Sequence, residues 1–63
     1  MIIKNARIIL GHIMGNAYND KNGKFKDGTT VFTSEVRKFY KKGKKNYVVT
    51  KNNTYEIEYK EEN

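Results

Sequence analysis

At 63 residues with no cysteine, the chain has room for one hydrophobic core and no covalent cross-link. Thirteen lysines and arginines against seven aspartates and glutamates leave a net charge of +6, and a lone His12 cannot assemble a thiolate or multi-histidine metal site. No cofactor and no metal are expected. A domain this small buries only about 60% of the surface its unfolded chain exposes, so association is the remaining staple and a homodimer is expected.

The N-terminal stretch MIIKNARIILGHIM is interrupted by Lys4, Asn5, Arg7 and His12, far short of the roughly 20 apolar residues of a membrane span. It has neither the basic start nor the small-residue cleavage site of a secretory signal. A cytoplasmic protein with no membrane partner is expected. Within residues 2–13 the isoleucine density favours a strand, either packed on both faces or bent near Gly11. A helix would gather Ile2, Ile3, Ala6, Ile9, Leu10 and Ile13 on one stripe, but no N-cap precedes it.

Residues 14–28 are dense in turn formers, with Gly15-Asn16, Asn19-Asp20, Asn22-Gly23 and Asp27-Gly28 each marking a reversal. Two readings stand. Tyr18 and Phe25 are either the aromatic pair of a short hairpin around Asn22-Gly23, or two anchors of a long loop. The TTVFT run at 29–33 is strand-prone.

The segment 34–43, SEVRKFYKKG, admits a strand or a short helix capped by Ser34 and stopped by Gly43. Three apolar residues are few to anchor a helix of under three turns, so the strand is preferred and α+β is the alternative. The clearest pattern is last. NYVVTK, Asn52-Asn53 and TYEIEY form a hairpin whose second arm sends Tyr55, Ile57 and Tyr59 one way and Thr54, Glu56 and Glu58 the other. The acidic tail 60–63 has nothing to bury and is expected to fray.

Five or six short strands with Gly/Asn turns over 1–59 predict one all-β domain, a small antiparallel barrel or sheet of SH3-like or OB-like type. Charge divides the chain. Residues 1–51 hold twelve of the thirteen cations against Asp20, Asp27 and Glu35, whereas residues 52–63 set Lys60 against Glu56, Glu58, Glu61 and Glu62. A basic body draws anionic surfaces at long range.

No catalytic constellation is legible. His12 sits among apolar neighbours, Glu56 and Glu58 read as a wet strand face, and phosphate-loop and EF-hand patterns are absent. A non-enzymatic protein is expected. The partner-binding residues predicted are Arg37, Lys38, Tyr40, Lys41, Lys42, Lys44, Lys45 and Tyr47, where cations interleave with rings. Lysines so placed neutralise phosphates or carboxylates, and exposed rings stack on bases. The bland account puts Phe39 in the core and leaves the lysines to solubilise an edge strand.

Phe25, Asp27, Gly28, Thr29, Val31, Thr33, Ser34 and Val36, then Val48, Val49, Thr50, Asn52, Tyr55 and Ile57, form an order that resembles a class of very small phage and prophage β-proteins. The likeness spans roughly residues 18–57. It implies an intracellular accessory protein that inhibits a host-defence or nucleic-acid-handling protein by direct contact, and it supplies no catalytic residue. Direct nucleic-acid binding through 37–45 is the alternative. The four glutamates near the end, which would repel phosphate, favour a host protein.

Overall fold

A computed structural model describes residues 1–60, which form six strands and no helix. The strands are β1 (Ile2–Ile9), β2 (His12–Tyr18), β3 (Thr30–Phe32), β4 (Val36–Lys42), β5 (Lys45–Thr50) and β6 (Thr54–Tyr59). They make one sheet in the order β3-β2-β1-β6-β5-β4. The all-β fold read from sequence holds, and residues 34–43 stay extended. The expected tail at 60–63 lies, beyond Lys60, outside the described residues.

Every pairing is antiparallel except β1 with β6. Strand parity explains the exception. β1-β2-β3 and β4-β5-β6 are two meanders, and in each the third strand runs with the first. The link Thr33–Glu35 carries the chain forward from β3 into β4 without reversing it, so β1, β3, β4 and β6 all share one direction.

That link also forces curvature. β3 and β4 are the two ends of the sheet, and five strand spacings laid flat would separate them by about 24 Å. Four residue steps from Phe32 to Val36 reach at most about 14 Å. The sheet must therefore curl. Thr33 N–H donates to Ile13 O (2.9 Å), Val36 N–H to Gly11 O (2.7 Å), and Lys51 N–H to Glu35 O (3.0 Å). The linker thus leaves β2 and passes to β5 along one continuous seam, although β3 and β4 form no ladder with each other.

Ile3, Ala6, Ile13, Ala17, Val31, Val48 and Ile57 fill the concave side, with Met1, Phe25, Val36 and Tyr55 packed around them. Burying each of the larger side chains stabilises by about 1.5–3 kcal/mol. Two hydroxyls share this interior. Thr33 Oγ1 accepts from Ile13 N–H (3.0 Å) and donates to Ser34 O (2.8 Å), while Thr50 Oγ1 donates to Asn53 O (2.8 Å).

The first hairpin departs from expectation. Residues 2–13 are not one bent strand, because Leu10 (φ 49°) and Gly11 (φ 81°) turn the chain back as a two-residue I′ loop. Residues 14–18, read as turn formers, belong to a strand instead. Its inward residues Ile13, Gly15 and Ala17 alternate with His12, Met14, Asn16 and Tyr18. Gly15 is required by crowding. A Cβ there would lie 2.6 Å from both Ile3 Cγ2 and the Lys4 carbonyl oxygen, beside the bulge that interrupts β1 between Lys4 and Arg7.

Residues 19–29 form a loop with no ladder of its own, pinned by Phe25 against the core. Asp20 organises it, with Oδ2 accepting from Phe25 N–H (3.0 Å) and Oδ1 from Asn22 N–H (3.1 Å). Those bonds, led by the one from Phe25, hold the Asp20 carboxyl below the usual aspartate range.

Candidate partner-binding site

The predicted site residues all fall on the β4–β5 hairpin, and the register assigns each to a face. Lys38 lies opposite Val49, Tyr40 opposite Tyr47, and Lys42 opposite Lys45. Phe39 lies opposite the fully buried Val48, so its side of β4 is the concave one. Lys38, Tyr40, Lys42, Lys45 and Tyr47 therefore share the outer face. Lys41 is on the other side, Lys44 is in the turn, and Arg37 is at a bulge between Val36 and Lys38, paired with Glu35 at 3.7 Å.

The hairpin is built by its turn. Gly43 has a φ of 63° at the first central position and Lys44 follows with ordinary φ, the arrangement of a II′ turn. Next to it stand Lys42 and Lys45 directly across from each other, a like-charge pair of the kind that destabilises a two-stranded ladder. Among the described residues, Lys38, Lys41, Lys42 and Lys44 have no carboxylate within ion-pairing distance. The hairpin keeps its charge at a local cost.

At the centre of the outer face the Tyr40 and Tyr47 rings stack, with centroids 5.0 Å apart and planes 14° from parallel. Tyr40 remains 42% exposed. Phe39, on the concave side, is 43% exposed, because β4 is the last strand and only β5 packs firmly against it. The ring stands apart from the side chains that pack against the core.

One strand further the charge reverses. Glu56 lies opposite Tyr47 and is ion-paired with Lys45 at 3.6 Å, and Glu58 shares its parity on β6. The outer face is thus striped. Lysines lie on β4 and the hairpin end, tyrosines in the middle, and glutamates on β6.

A second exposed surface was not legible in the sequence. On the outer side of β1-β2-β3, His12 stacks on Phe32 at 4.8 Å, and Phe32 lies opposite Met14. Phe32 is 57% exposed and Leu10, in the adjacent turn, 93%. His12 Nδ1 is 2.9 Å from Thr33 O, and since a carbonyl only accepts, that nitrogen carries a proton. Alternation through 12–18 was the available signal, masked by two small inward residues.

Comparison of the chain with protein-family models, curated proteins and solved structures finds no match. Within the fold, several residues of the turn-and-strand order noted in the sequence do structural work. Asp27 Oδ1 accepts from Asn19 N–H (3.0 Å), and Thr33 and Thr50 hold the seam and the β5–β6 turn. None of these interactions belongs to the lysine–tyrosine face.

Proposed function

We propose that this protein is a non-enzymatic binding module, of the kind phages direct against host proteins, which docks its β4–β5 hairpin on an acidic surface of a bacterial cytoplasmic protein. The observation that carries this reading is the striped outer face. A nucleic-acid strand crossing from Lys38 through the stacked tyrosines meets Glu56 and Glu58 on the next strand, and its phosphates are repelled there. A protein surface, which carries both signs, can match cations, rings and carboxylates in that order. Tyr40 and Tyr47 supply rigid, amphipathic contact area of the type enriched at interface centres.

The test is affinity capture from nuclease-treated bacterial lysate, comparing the wild type with a variant carrying Lys38→Glu, Lys42→Glu and Lys44→Glu. These three are exposed and lack ion-pair partners among the described residues, so the fold is expected to persist, as checked by circular dichroism. A protein retained by the wild type and lost by the variant supports the reading. Recovery that vanishes with nuclease, together with oligonucleotide affinity that falls by about 0.7–0.9 log units per log unit of salt for each phosphate neutralised, selects nucleic acid instead.

A further inference from the structure

β4 offers more than its face. It ends the sheet, all six residues from Arg37 to Lys42 are exposed, and among the described residues β5 is its one ladder partner. Among the described residues, only its first residue is tied on the other side, through Val36 N–H to Gly11 O. Along 37–42 the backbone groups directed away from β5 have no partner among the described residues. β3, at the other end of the sheet, is three residues long and carries no charge.

We infer that β4 accepts an extended acidic segment of the partner protein as a seventh strand. This rests on the protein-binding reading above and specifies how the contact is made. An open strand edge alternates N–H donors with C=O acceptors, which a peptide backbone satisfies in turn. A phosphodiester chain offers acceptors alone and would leave the outward carbonyls of β4 unmatched. Side-chain charge then selects the peptide. Lys38 and Lys42 project to one side of β4 and Lys41 to the other, so glutamates or aspartates on either face of an added strand meet cations.

The same charges argue against a second copy of this chain on β4. Antiparallel self-pairing centred on Tyr40 would set Lys38 against Lys42 twice, and like charges directly opposite are destabilising. The edge discourages its own kind and favours an acidic strand.

The probe is a ten-residue peptide alternating glutamate and valine, titrated into the full chain. Amide hydrogen exchange is followed by NMR. Alternate amides within 37–42 are expected to slow on binding, and a lysine–valine peptide of equal length is expected not to bind. Methylating the central peptide nitrogens removes two or three ladder bonds and leaves the charge, so affinity should fall roughly 30-fold.

Absence of binding by the glutamate–valine peptide overturns the inference. So does equal affinity of the methylated form, or binding without protection on β4. The two proposals fail separately. Nuclease-resistant capture lost in the triple-lysine variant, with no β4 protection by peptide, refutes the edge and leaves the protein-binding reading. Protection on β4 with capture that depends on nucleic acid refutes that reading and leaves the edge.

Discussion

Thr33→Val isolates the seam that sets β4 in place. Valine has nearly the shape of threonine, so the change removes one hydroxyl and little else. That hydroxyl is buried, with Thr33 only 7% exposed, and it satisfies Ile13 N–H at 3.0 Å while donating to Ser34 O at 2.8 Å. Leaving the Ile13 N–H without an acceptor costs about 1–3 kcal/mol, whereas the half-buried Ser34 region can be reached by water. The added methyl returns part of this, for a net loss near 2 kcal/mol.

At roughly 0.05–0.15 kcal/mol per residue, a domain of this length has about 3–9 kcal/mol in total, so the fraction lost is large. A Tm lower by about 8–16 °C is expected, at about 4–8 °C per kcal/mol. Thr33→Ser keeps both bonds and loses a methyl, about 0.8 kcal/mol, so it should fall between the two. Urea unfolding followed by circular dichroism gives the order, and faster exchange of the Val36 amide in the valine variant reports opening of the seam. A valine variant within about 0.5 kcal/mol of wild type, or a serine variant less stable than it, would refute the argument.

Gly15→Ala forces a Cβ against the Lys4 carbonyl, which cannot swing aside, and should destabilise by about 1–3 kcal/mol; a Tm unchanged within error contradicts the close packing. Acid should loosen residues 19–29 before the sheet. The folded-state pKa of Asp20 is depressed, so its contribution is complete above the ordinary aspartate value and disappears as pH falls through the lowered one. Exchange of the Phe25 amide against pH reads this, and Asp20→Asn should remove the dependence. The dimer expected from chain length makes Tm rise with protein concentration, whereas a constant Tm over a hundredfold dilution would eliminate it.

The last hairpin was legible because TYEIEY alternates strictly and its neighbours are turn formers. β4 was legible for a negative reason: three apolar residues cannot anchor a helix. β2 was not. Gly15 and Ala17 face inward with little hydrophobic weight, and Leu10 occupies a positive-φ turn position that few non-glycine residues adopt. The parallel β1–β6 pairing joins the two ends of the described chain and leaves no local trace.

The same division runs through the candidate site. Parity along β4 placed Lys38, Tyr40 and Lys42 together, and the hairpin turn brought Lys45 and Tyr47 across from them. The bulge at Arg37 and the register that sets Glu56 opposite Tyr47 are properties of pairing, which a linear pattern does not encode. Glu56 is the residue that turns a basic patch into a striped face.

The most direct test is to add the captured partner to isotope-labelled protein and record which backbone amides shift. Perturbations are expected to concentrate in residues 36–50, with His12–Tyr18 little changed. Shifts centred instead on Leu10, His12, Met14 and Phe32, with the hairpin silent, would contradict this.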